Sequence, residues 1–351
     1  MSTHDGPSRS FLVRPVVLGS IAAVVLTLVT ACDSDGVVPP LEPSSSASSA
    51  VTSSATESRS TATPDATATT TAATTSCRRA PVYKGRKTRF GANLSTHGVS
   101  LADAVRTSDR QFGRMGAVRV FDPTVPPSNT WKRRAGALRK RSIVTSFRMP
   151  PQQVIAGVYD AQMRRFFNRA PENAKVFWSY YHEPEPQIDA GVFTYRQYRL
   201  AWRHLVNLAR GACNPKLFPT LILTGWTAER ASGRSWRDYY PGRRYISVMG
   251  WDPYNSASRA PSSYVRPVDL FRSVSRASRA AGKPMGIAET GSRIVAGDNG
   301  AGRAKWLRRL GTYFSNRDAA FVTYFNSIGT SGADYRLRDR PSINAWDDVV
   351  G

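Results

Sequence analysis

The feature that most constrains this chain is an alternation. Eight short apolar, β-branched runs lie at residues 88–93, 117–121, 143–147, 176–181, 217–223, 245–249, 284–288 and 320–325. Between them stand stretches with helical period, the clearest at 153–167, 195–210, 268–281 and 303–314. Strand followed by helix, repeated, is the pattern of a parallel sheet covered by its own crossovers. In the second helical stretch, Leu200, His204 (or its neighbour Leu205) and Leu208 share one face, and Gly211 and Gly282 stand just beyond helix ends, as C-terminal caps do. Eight such units predict an α/β fold, a closed (β/α)8 TIM barrel. The stretch 77–351 has the length of one such barrel, typically about 250 residues.

The residues before 77 read differently. Arg9 and Arg14 precede an apolar run over 16–29 that ends at Val29-Thr30-Ala31-Cys32. A basic start, an apolar middle and small residues before a cleavage point describe an export signal over 1–31. The run is shorter than the roughly 20 residues that span a membrane comfortably. Val-Thr-Ala-Cys resembles a bacterial lipobox, which implies cleavage before Cys32 and lipidation of its sulfur. Residues 33–76 are Ser, Thr, Ala and Pro with few large apolar side chains. Such a segment cannot bury enough surface to offset its chain entropy, so 32–76 is expected to be a lipidated Cys and a disordered tether. This arrangement places the protein outside the cell, on the outer face of the membrane or secreted.

With Cys32 so assigned, Cys77 and Cys213 remain as a candidate disulfide in an oxidising compartment, the alternative being two thiols. The formal charge is +24, carried mostly by arginine scattered through every predicted helix. A solvated basic surface and weak adhesion to an anionic envelope are both compatible with it. No nucleic-acid-binding motif accompanies the charge, and export argues against a genomic partner.

In a (β/α)8 barrel the chemistry sits at the C-terminal ends of the strands. Here those ends read Gly91-Ala92-Asn93, Arg119-Val120-Phe121-Asp122, Phe147-Arg148, Tyr181-His182-Glu183, Gly225-Trp226, Trp251-Asp252-Pro253-Tyr254, Glu289 and Tyr324-Phe325-Asn326. Polar and aromatic residues replace the apolar pattern at almost every exit. Glu183 follows Trp178, Tyr180, Tyr181 and His182, surroundings that desolvate a carboxyl and raise its pKa toward that of a useful acid. Glu289 ends an apolar strand before a small-residue turn, which presents it at the barrel mouth. Glycoside cleavage needs such a pair, one carboxyl as acid and one as nucleophile or base. Taken singly, each glutamate reads equally as a helix cap or an arginine partner; as a pair on the fourth and seventh strands they read as catalytic.

Glutamates on those two strands are the signature of a large clan of retaining (β/α)8 glycosidases. His182-Glu183, Gly250-Trp251-Asp252-Pro253-Tyr254-Asn255 and Ile287-Ala288-Glu289-Thr290-Gly291 resemble glycoside hydrolase family 26, which includes β-mannanases. The resemblance spans residues 88–326, though only the strand ends carry it. It implies Glu183 as acid/base, Glu289 as nucleophile, His182 beside the acid and Tyr254 donating a hydrogen bond to the nucleophile. It also implies Trp226 and Trp251 as sugar-stacking walls, although at strand ends these two and Tyr254 read equally as packing residues. Asn93, Arg119, Arg148 and Asn326 are further candidate substrate-binding residues by their place at strand exits; Arg119 and Arg148 read equally as salt-bridge partners or as residues that orient Glu289. The chain departs from typical mannanases at Pro184-Glu185-Pro186, where they carry a Met-Asn-Gly-like continuation, and at Phe325-Asn326, where the wider clan has tryptophan. Glu185 is a competing acid, ranked below Glu183 for its flanking prolines.

Trp178 and Trp202 lie inside a strand and a helix and read as core, His204 as a helix-face residue, and His97 as a loop residue near the cleft. His182-Glu183 lacks the second His of a helical zinc-protease motif, and no G-x-S-x-G elbow, phosphate loop or dinucleotide fingerprint is present. No metal or other cofactor is expected. The expected protein is therefore a monomeric, lipid-anchored retaining glycosidase, endo-acting on a β-linked polysaccharide of mannan type. The rival is a catalytically inactive barrel lipoprotein that binds envelope carbohydrate through the same cleft.

Overall fold

A computed structural model describes Cys77, residues 80–96 and residues 98–351. The export signal, Cys32, the tether and His97 lie outside the described residues. Eight parallel strands close into one barrel in chain order: β1 (Phe90–Asn93), β2 (Ala117–Phe121), β3 (Ser142–Phe147), β4 (Val176–Tyr180), β5 (Leu217–Thr224), β6 (Val248–Asp252), β7 (Met285–Thr290) and β8 (Val322–Tyr324). Closure is made by β1 on β8, with Phe90 opposite Val322 and Ala92 opposite Tyr324.

Side chains alternate across a strand, so each strand feeds two cores. One buried cluster takes Ala117, Val144, Phe177, Ile222, Val248 and Ala288, one inward side of six successive strands. Tyr83 plugs this cluster from the N-terminal end, its ring 5.3 Å from Phe177 and 5.4 Å from Phe218. The outward residues form the larger cluster under the helices, where Trp178 stacks on Trp202 at 5.9 Å. Both tryptophans are core, as their positions in strand and helix predict.

Several expected elements shift. The run 245–249 is not the sixth strand: Arg243–Tyr245 is a 3-10 turn, and β6 begins at Val248 and runs through Gly250, Trp251 and Asp252. The helix expected at 153–167 is two, Pro151–Ile155 and Asp160–Asn168, parted at Gly157, which takes φ 77°. That at 268–281 is also two, Pro267–Leu270 and Arg272–Ala281, the second capped by left-handed Gly282 as expected. Gly211 closes helix Tyr195–Gly211 from within rather than beyond it. That helix starts on a capping box, Thr194 accepting from the Gln197 backbone while the Gln197 side chain accepts from the Thr194 backbone. His204 pairs with Asp160 across two helices at 2.6 Å. Cys77 is bonded to Cys213, tying the start of the described chain to the loop before β5.

Candidate active site

Period two decides which strand residues enter the barrel mouth. On β2, Arg119 follows inward Ala117 by two and is fully buried. On β6, Val248, Gly250 and Asp252 share the inward side. By the same rule Glu289 would point outward, one residue after inward Ala288. A break in register prevents this: Ile287 pairs with Val322 but Thr290 pairs with Tyr324, three steps on β7 against two on β8. The extra residue is a bulge, a device that re-aims a side chain at the end of a strand. Glu289 thereby reaches Arg119, its Oε1 accepting from the guanidinium at 3.4 Å, and Tyr254, whose hydroxyl donates to Oε2 at 2.7 Å. The residue is 7% exposed, more sheltered than a carboxylate simply displayed at the mouth.

Glu183 leaves β4 through two left-handed residues, Tyr181 (φ 47°) and Glu183 itself (φ 50°), while its N–H still donates to the Ile222 carbonyl of β5 at 3.1 Å. Non-glycine residues take this conformation at a cost of about 1–3 kcal/mol and do so mainly where a site demands it. Burial, then the charges of Glu289 and Glu185, push the Glu183 carboxyl up to about 8, against the pull of Arg148 and Arg119. The two glutamates thus face one mouth and feel each other. Their surroundings differ: Glu289 is held by two donors, and Glu183 carries the burden of burial and like charge.

The other expected residues divide. His182 lies with its ring 5.5 Å from that of Phe121, and burial together with Arg119 and Arg148 holds its pKa well below the usual histidine range. It is a neutral imidazole beside Glu183. Arg148 donates to the His182 carbonyl at 3.5 Å and lies over the Tyr181 ring, which fixes the β4 exit. Burial and the neighbouring Glu289 hold the Tyr254 hydroxyl well above its ordinary range, so it stays a donor. Trp226, in the 3-10 turn Gly225–Ala228 that ends β5, is 52% exposed, an open aromatic face beside the mouth.

Trp251 does not line the mouth. It is fully buried on the outward side of β6, and its indole N–H donates to Ser278 of the covering helix at 2.9 Å. The strand runs three residues further than its apolar run suggests, which turns Trp251 from an exit residue into a core one. Asn93 and Asn326 fasten the rim: the Asn93 amide oxygen accepts from the Asn326 N–H at 2.6 Å, and that of Asn326 accepts from Leu337 N at 2.8 Å. Asp122 is held at 2.9 Å by Arg134 beneath the rim.

Two acidic residues join the site. Glu185 is fully buried, with Oε1 accepting from Thr224 N, Thr224 Oγ1 and Thr227 Oγ1 at 2.7–3.0 Å. Fastened to the β5 exit, it braces the Glu183 loop and acts on Glu183 by its charge. Asp252 belongs to the sixth strand exit, where the sequence pattern alone assigns it no role, and lies on the inward side of β6. Burial and the neighbouring charges of Glu289 and Glu183 raise its pKa well above the carboxylate range. Its position two residues past inward Gly250 is the signal that would have found it. Among the described residues, no group of three or more His, Cys, Asp and Glu is arranged to hold a metal ion.

No family model matches the chain, and no curated protein matches it. Solved structures do. The catalytic domain of a family 26 endo-β-1,4-mannanase from Bacillus sp. JAMB-750 superposes with a TM-score of 0.51 at 15% identity, covering 75% of this chain and 85% of that one. A modular endo-β-1,4-mannanase from Cellulomonas fimi gives 0.51 at 13% identity, over 80% and 74%. Cel5A of Thermotoga maritima, solved with mannotriose, gives 0.53 at 14% identity, over 75% and 98%. At such identities the likeness establishes the fold: a (β/α)8 barrel of the shape those glycosidases share.

Proposed function

We propose that this chain is a retaining glycoside hydrolase that cleaves a β-linked polysaccharide, of mannan type and in endo fashion, by double displacement. One observation carries the reading. Two glutamates from β4 and β7 meet at one barrel mouth, one raised to about 8 and the other held by Tyr254 and Arg119. In the first step an oxygen of Glu289 attacks the anomeric carbon, the glycosidic C–O bond breaks, and the departing oxygen takes the proton of Glu183. Glu289 is then an ester and carries no charge. The repulsion that raised Glu183 falls away, its pKa drops, and it becomes the base that the second step needs. A water gives its proton to Glu183 and its oxygen to the anomeric carbon, and the ester bond to Glu289 breaks.

The resemblance of the strand ends to family 26 and the fold likeness to mannanases support the same reading, with Trp226 as a stacking face for a sugar. The leader and Val29-Thr30-Ala31-Cys32 belong to it too, as the export signal and lipid anchor of an enzyme working outside the cell. The test is release of reducing ends from a panel of mannans, glucans and xylans. Wild type is expected to act on a β-mannan, and Glu183→Gln to lose on the order of 10²–10⁴-fold in kcat on substrates with poor leaving groups. Binding across the panel without cleavage would instead favour the inactive carbohydrate-binding barrel.

A further inference from the structure

The N-terminal face of the barrel, opposite the catalytic mouth, carries a cation before every strand. β1 to β4 are preceded by Arg89, Arg114, Lys140 and Lys175; β5 to β8 by Lys216, Arg244, Lys283 and Arg317. In the five residues leading into each strand the acidic residues are Glu172 and Asp318 alone. None of the eight cations forms a salt bridge among the described residues. The helical layer is different: there Arg106 pairs with Asp103, Arg164 with Asp160, Arg266 with Asp269 and Arg308 with Asp348. The charge of the helices is partly answered by carboxylates; none of these eight cations is, although Lys175, Arg244 and Arg317 lie over the rings of Tyr83, Tyr245 and Tyr313. Burial, and secondarily the charges of Arg89 and Lys216 beside it, hold Lys175 below the ordinary lysine range.

Part of this ring surrounds a hollow of about 700 Å³ beneath β1–β4, lined by Arg89, Arg114, Lys140 and Lys175, with Arg86 and Lys87 at its edge. Arg141 is answered by Asp109, which it holds through two hydrogen bonds of 2.6 and 2.8 Å. The described chain also begins on this face. Cys77 is bonded to Cys213, three residues before Lys216, and Ala80 donates to the Arg244 carbonyl at 3.4 Å. Whatever precedes Cys77 therefore arrives at the cationic side.

We infer that this face docks on anionic phospholipid headgroups, so that the barrel stands with its catalytic mouth turned away from the membrane. Each basic residue held near an anionic membrane surface contributes on the order of fivefold in partition, and the attraction decays within a Debye length. The start of the described chain and the cations lie on one face and select the same orientation. The docking rests on the face and not on the glutamates, so it stands or falls apart from the glycosidase reading.

The test uses residues 33–351, which carry no Cys32 and contain every strand of the closed barrel, in co-sedimentation with vesicles. Binding is expected to vesicles of phosphatidylcholine with phosphatidylglycerol and not to phosphatidylcholine alone, and to vanish as salt is raised. The triple variant Arg89→Gln, Arg114→Gln, Lys140→Gln should bind on the order of a hundredfold more weakly. Should it fail to fold, each single substitution should weaken binding about fivefold. Lys132→Gln, Arg165→Gln, Arg196→Gln, an equal loss of exposed charge on the helical layer, should change binding far less. Equal binding to both vesicles, an equal loss in the helical-layer variant, or capture by soluble polyglutamate with none by vesicles would overturn the inference.

Discussion

In the proposed mechanism the chemistry turns on Glu183, whose position is costly twice over. It sits in left-handed backbone and in surroundings that oppose its charge. A group raised to about 8 is protonated through neutrality and loses its proton above that pH. An acid catalyst so placed gives kcat/KM an alkaline limb near pH 8, which should be absent in Glu183→Gln. Since Glu289 is the largest charge acting on it, Glu289→Gln should lower the Glu183 titration, read by carboxyl NMR in the otherwise silent variant. An unmoved titration would mean that the two carboxyls do not interact. Tyr254→Phe removes the 2.7 Å donor from Glu289, and a hydrogen bond to a charged group is worth about 1.5–3 kcal/mol, so kcat should fall about 10–100-fold with little change in Tm. That Glu183, Glu289, Tyr254 and His182 gather at one mouth was legible in the sequence because each stands at a strand exit, Glu183 and His182 after aromatic residues and Glu289 before a small-residue turn. Trp251 packs rather than stacks, and Asp252 faces inward, for one reason: each lies inside β6, and the apolar run 245–249 does not mark that the strand continues through them.

At the scale of elements, seven strands match the apolar runs to within a few residues, because β-branched runs bounded by polar stretches have few other uses in a barrel. The sixth slid forward because its apolar run, 245–249, opens in a 3-10 turn, while the strand itself continues through Gly250 and Asp252. No composition signals that a Gly and an Asp will face a barrel interior. The β7 bulge is equally silent, since it arises from pairing with β8 and not from the residues of β7 alone. Close strand contact also makes a prediction. A Cβ added to Gly91 would stand 1.7 Å from the Ala117 carbonyl oxygen, a backbone atom of the neighbouring strand that cannot yield without breaking the ladder. Gly91→Ala should cost more than about 3 kcal/mol, beyond the usual range for overpacking. Gly136→Ala, in a helix and with nothing within 4 Å of the new methyl, should stabilise by up to about 1 kcal/mol. Thermal melts of the two variants, moving in opposite directions, check both.

For the whole molecule, alternation and length pointed to a barrel, and the closed order β1 to β8 is that barrel. The division of its two ends was only half legible. The proposed catalytic end announces itself in exit motifs, whereas the +24 charge reads as scattered until the strand entries are seen to share one face. The cysteine pair was a matter of elimination, and the structure supplies the bond, closing a loop with a sequence separation of 136. Loops of that size are stabilised by about 2–5 kcal/mol when cross-linked, so Cys213→Ser should lower the free energy of unfolding by that amount in denaturant titration. A change below about 0.5 kcal/mol, the range of ordinary surface substitutions, would show that the bridge adds nothing to the barrel.

Double displacement requires Glu289 to form a bond to sugar. An activated 2-deoxy-2-fluoro mannoside slows both steps and lets the glycosyl-enzyme accumulate, so that mass spectrometry of the peptides locates the adduct. The adduct is predicted on Glu289, within Met285–Thr290, and absent in Glu289→Ala. Label on Glu183 or Glu185, or hydrolysis of β-mannan without any adduct and with inverted anomeric configuration, would contradict it.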